Sequence, residues 1–129
     1  MTYHEQYAIG AALTLAVELP VALLVARRVR LLASDLRILG AALLGIALTH
    51  PALWYVPWFA FPAALAPANY GLYLAVGEAT TVVVKTLVFW ALLAPHRPWL
   101  ALAFGTLGTA ASYAVGLLAQ AVLSGAAGA

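Results

Sequence analysis

Residues Leu74–Val88 read LAVGEATTVVVKTLV. The run is apolar, of helix length, and carries Glu78 and Lys85. Seven positions apart, these two share one helix face, about 10 Å from each other along the axis. A carboxylate and an amine on so apolar a segment demand partners, because an unpaired charge in hydrocarbon costs several kcal/mol.

The rest of the chain decides what surrounds that segment. Of its 129 residues, 66% are hydrophobic and 8% charged, and the mean hydropathy is +1.01. An ordinary soluble domain is about 25% charged. A soluble fold of this size has too little interior to hide so much apolar surface, so lipid must cover it. The apolar runs are nearly continuous for about 20 residues, which fits spanning helices and not the alternation of a membrane barrel. The predicted fold is all-α: a polytopic membrane protein, a four-transmembrane-helix bundle forming one domain over 1–129. Its spans fall at about 6–26, 36–56, 69–94 and 99–123.

The net charge of +2 and pI near 9.2 do not point to nucleic acid. The arginines sit at helix ends and form no solvated basic face. Arg27, Arg28, Arg30 and Arg37 flank the first connection and Arg97 lies in the third, whereas the second connection and the termini lack Lys and Arg. Connections one and three share a side, which the positive-inside rule makes cytoplasmic, so both termini are predicted outside. The stretch MTYHEQY lacks the basic start of a signal peptide, and the apolar run after it is expected to be a retained span. With no cysteine, disulfides and thiolate chemistry are excluded. The Ala/Leu/Val/Arg-rich composition, with Lys85 the one lysine, leads us to expect a multi-pass protein of a prokaryotic plasma (inner) membrane.

Local signals place the connections. Ser34 or Asp35 is suited to cap the second span. PWFAFPAALAPA, residues Pro57–Ala68, is too apolar for a free loop and is expected in the headgroup zone with a single helical turn. Trp54, Tyr55, Trp58, Phe59 and Phe61 are expected in an interfacial aromatic belt there. Pro95–Pro98 makes a tight turn, and the tail SGAAGA is expected to be loosely ordered. Pro20 and Pro51 each remove a helical hydrogen bond beside an ionisable residue, and a bend is expected at Pro51.

Depth pairs the buried charges. From the outer surface, His50 lies about 9 Å deep, Glu78 about 13 Å, Glu18 about 18 Å and Lys85 about 24 Å. The expected pairs are therefore Glu78 with His50 and Glu18 with Lys85. Further polar residues fall on the same faces: Thr14 with Glu18, and Thr81 with Glu78 and Lys85. A stripe of small and polar residues, Gly105, Thr109, Ser112, Gly116 and Gln120, runs along the fourth span. Such a stripe packs helices closely or lines a polar cavity.

Glu18, His50, Glu78, Lys85, Thr14, Thr81, Thr109 and Ser112 are thus the candidate polar core. Glu18, His50 and Glu78 are the candidate donor set should a divalent metal bind. There is no HExxH, no GxSxG, and no cofactor is called for. The expected function is a small transporter or channel-like protein moving protons, ions or a small polar solute. The alternatives are a non-catalytic subunit of a larger membrane complex and, third, an intramembrane metal-dependent enzyme. Because one four-helix bundle encloses little space, a homo-oligomer or larger complex in the bilayer is expected.

Overall fold

The computed structural model describes residues 1–127. Four long helices follow one another: α1 (Tyr3–Arg28), α2 (Asp35–Ala60), α3 (Tyr70–Leu92) and α4 (Pro98–Ala127), with a 3₁₀ turn at Pro62–Leu65 after α2. No strand occurs among the described residues. All four helices are long and apolar enough to cross a membrane. Even α3, the shortest at 23 residues, reaches about 34 Å, beyond the ~30 Å hydrocarbon core of a bilayer.

Short connections make sequential helices antiparallel neighbours. Each helix packs on the one before it and α4 closes back on α1, while the diagonal pairs α1/α3 and α2/α4 have no close backbone approach among the described residues. The result is a square ring around a central axis. One end of the ring carries the start of α1 and the end of α4; the other carries the five arginines.

The bundle is inverted relative to a soluble protein. Leu24, Leu48, Leu72, Val83 and Leu118 point outward, whereas Glu18 and Lys85 are buried. The arginine half is sealed by a small-residue core in which Ala22, Ala26, Ile38, Ala42, Leu100 and Ala101 are buried. The Phe89 and Phe104 rings stack at 4.8 Å in the same layer.

Caps set the helix ends. Thr2 and Glu5 form a reciprocal capping box at α1. Ser34 caps α2 by accepting from the Arg37 N–H at 3.2 Å. Pro98 opens α4, where its missing N–H costs nothing. α1 ends in a Schellman motif: the Leu31 N–H bonds Ala26 O and the Arg30 N–H bonds Arg27 O. The left-handed position of that motif is occupied by Arg30, at φ 52°, where glycine is the usual residue. Arg30→Gly is expected to raise stability by up to about 1 kcal/mol by relieving that strain; thermal unfolding in detergent checks it.

α2 and α4 run beyond their expected ends. α2 runs past residue 56 to Ala60, because the Leu53 carbonyl orphaned by Pro57 accepts instead from the Tyr73 hydroxyl of α3. Pro51 lies inside α2, as the expected span 36–56 requires. The segment 124–127, expected to be loose, is the last turn of α4, with Ser124 Oγ donating to Gln120 O at 2.8 Å; residues 128–129 lie outside the described residues. The expected single turn in the second connection is the 3₁₀ turn at Pro62–Leu65.

Candidate functional site

Helical spacing and the square ring together turn four polar faces inward. Glu18 from α1 and Lys85 from α3 meet across the diagonal, with Lys85 Nζ 2.6 Å from both Glu18 carboxylate oxygens. Ser112 of α4 donates to Glu18 Oε1 at 2.8 Å. Two glycines make the crossing fit. A Cβ on Gly45 would lie 3.1 Å from Lys85 Cγ, and one on Gly108 would sit 3.5 Å from Glu18 Oε2. The pair expected from matching depths thus forms, and its charges satisfy one another at the boundary with the apolar seal.

Above this pair, towards the end that carries the start of α1, is a cavity of about 370 Å³. Thr14, Glu18, His50 and Glu78 line it, as do Thr81, Lys85, Thr109 and Ser112. All eight residues singled out by sequence therefore face one space. Glu18 and Lys85 form its floor. Gly116 and Gln120, from the stripe on α4, line its wall.

The other expected pair is not formed. Among the described residues no hydrogen bond or ion pair joins Glu78 to His50, the ion pairs being Lys85–Glu18 and Arg27–Asp35. The His50 ring instead lies against α1, 5.3 Å from the Tyr7 ring and 6.0 Å from Trp54. Its Nε2 is buried without a hydrogen-bond partner. Glu78 faces the other way round the ring: besides the cavity, it lines a groove between α3 and α4 with Val82, Thr106, Ala110 and Tyr113. The candidate metal set fails for the same reason. Among the described residues no three histidine or acidic side chains come together as a metal site, since Glu18 is held by Lys85 and His50 and Glu78 diverge.

The stripe on α4 splits in two. Its arginine-side end packs helices, with Gly105 against the α3 backbone at Val82 and Thr86. Its other end lines the cavity. Thr109 lies between them, and its buried hydroxyl has no partner.

Of the aromatic mouth, the sequence suggests a Tyr113 hydroxyl beside the α4 stripe and places Trp54 in the interfacial belt, but sequence reasoning missed Tyr3, Tyr70 and Tyr73. Tyr3, Trp54, Tyr70, Tyr73 and Tyr113 all line the cavity. The Tyr3 hydroxyl donates to Trp54 O and that of Tyr73 to Leu53 O, so both phenols are tied to the α2 backbone. Tyr73 and Leu53, together with Thr49 and Thr81, also border an apolar groove between α2 and α3. The available signal was Tyr70 and Tyr73 at i, i+3 leading to Glu78 on the same helix, and Gly45, Thr49 and Leu53 at i, i+4, i+8 on α2.

Buried polar atoms are nearly always hydrogen-bonded. His50 Nε2 and Thr109 Oγ1, on residues that border the cavity, are buried exceptions to that rule. No family model matches the chain, and no curated protein or solved structure shows significant similarity to it.

Proposed function

We propose that the protein is a small transporter of the prokaryotic plasma membrane that takes a polar solute from outside into the central cavity. By the arginine distribution both termini lie outside, so the cavity opens outward and the Ala/Phe layer closes it towards the cytoplasm. One observation carries this reading: the eight polar residues of four different helices converge on a single cavity, which ends at a sealed ion pair and an apolar plug. Residues that served only to fix helix register would be sealed in dry pairs. Here Glu78 lines the cavity without an ion-pair partner among the described residues, and His50 and Thr109 on its wall each carry a buried polar atom with no partner.

Passage requires the plug to open. Its contacts are mostly alanines, Ala22, Ala26, Ala42 and Ala101 among them, which interlock little and let helices slide. The cavity lies within one chain, so binding does not need the homo-oligomer expected from bundle size.

Purified protein in vesicles, challenged with labelled small amines, amino acids, sugars and carboxylates, tests the proposal. Uptake of one class is expected, and Glu78→Gln is expected to abolish it while leaving the thermal unfolding midpoint within a few degrees. Absence of uptake for every class, or uptake undiminished in Glu78→Gln, would overturn it. Co-purification of the chain as a fixed part of a larger complex, without uptake, would favour the assembly-subunit alternative.

A further inference from the structure

We propose that the central cavity recognises an organic ammonium cation, held by the Glu78 carboxylate and the aromatic rings of Tyr73 and Tyr113. The inference deepens the transport reading by naming the substrate class of the same cavity.

Charge comes first. The floor is electrically closed: Lys85 Nζ contacts both oxygens of Glu18, and the two side chains are almost wholly buried. The ammonium of Lys85 is therefore not free to receive an anion. Glu78 lines the cavity without an ion-pair partner among the described residues. The rest of the polar lining, Gln6, Thr14, His50, Thr81, Thr109 and Gln120 among it, is neutral or weakly basic in character and brings no fixed positive charge. A solute that completes this site carries a positive charge.

The lining then selects the kind of cation. A bare metal ion needs several converging oxygen or nitrogen donors, and no such group of three exists among the described residues. What surrounds the route to Glu78 is aromatic: Tyr3, Trp54, Tyr70, Tyr73 and Tyr113. Ring faces attract ammonium groups through their quadrupole and are the usual cage for alkylated ammonium ligands. The phenols best placed to compete as hydrogen-bond donors, Tyr3 and Tyr73, spend their hydroxyls on α2 carbonyls, so their orientation is fixed before any solute arrives. Tyr113 borders both the cavity and the α3–α4 groove that Glu78 lines. Lipid-facing belt aromatics have no such inward rim.

Choline and its uncharged carbon isostere 3,3-dimethylbutan-1-ol test this, with binding to the purified protein followed by calorimetry. Choline is expected to bind at least tenfold more tightly than the isostere. Glu78→Gln is expected to erase that preference. Tyr113→Leu, which removes a ring bordering the same spaces as Glu78 and leaves the α2-bound phenols in place, is expected to weaken choline several-fold and to change the isostere little. Equal affinity for the two probes, no binding of either choline or tetramethylammonium, or a preference for choline that survives Glu78→Gln would each overturn the inference. The two proposals fail separately. Uptake of a sugar or carboxylate that depends on Glu78 would preserve transport and sink the ammonium class. Glu78-dependent choline binding without uptake of any solute would do the reverse.

Discussion

Lys85→Met is expected to destabilise the folded bundle by about 3–5 kcal/mol, the cost of leaving one member of a buried ion pair uncompensated. Glu18 would lose both short contacts to Nζ and keep only the Ser112 hydroxyl. Its neighbours on the arginine side, Ala22 and the Phe89–Phe104 layer, offer no polar replacement. The second arm separates pairing from packing. In Glu18→Leu/Lys85→Met the desolvation cost disappears with the charges, and most of the lost stability is expected to return. Reversible unfolding in mixed micelles measures all three variants. A Lys85→Met loss below about 1 kcal/mol would place the pair among weak, solvated bridges and contradict its role as a sealed floor.

The second large effect sits on the stripe of α4 and divides it. A Cβ on Gly105 would lie 2.6 Å from Thr86 Oγ1 and 3.0 Å from both Thr86 N and Val82 O. Two of those three atoms are backbone, so α3 and α4 must separate. Gly105→Ala is expected to cost about 2–3 kcal/mol through overpacking. Gly116, eleven residues on and part of the same stripe, has nothing within 4 Å of an added Cβ. Gly116→Ala is expected to be neutral, or stabilising by up to about 1 kcal/mol from helix propensity. Equal losses at the two glycines would mean that the whole stripe packs against protein, with no cavity beside Gly116.

This contrast shows what was legible in the sequence. Hydropathy and length located four helices, because a spanning segment must be apolar for about 20 residues whatever its neighbours do. Depth along a helix follows from counting, so Glu18 and Lys85 found each other. Azimuth does not follow from counting. His50 and Glu78 lie at similar estimated depths, yet one turns towards Tyr7 and Trp54 and the other towards the α3–α4 groove. The rotation of each helix is set by contacts such as Gly105 on Thr86, visible only once the helices are packed. Tyr3, Tyr70 and Tyr73 escaped notice because aromatic residues near span ends are ordinary interfacial anchors, and only the ring geometry turns them inward. α2 outran its predicted end because a residue from another helix, Tyr73, repaired the hydrogen bond that Pro57 removed.

Transport by this route requires a wet, outward-opening cavity that stops at the Glu18–Lys85 pair. The chain has no cysteine, so single cysteines report without background. In right-side-out vesicles treated with a membrane-impermeant maleimide, Thr14→Cys and Gly116→Cys, which line the cavity, are expected to label from outside. Ala26→Cys and Ala101→Cys, buried in the seal, are expected to stay unlabelled. Labelling of the seal positions from outside, or protection of both cavity positions, would contradict the account.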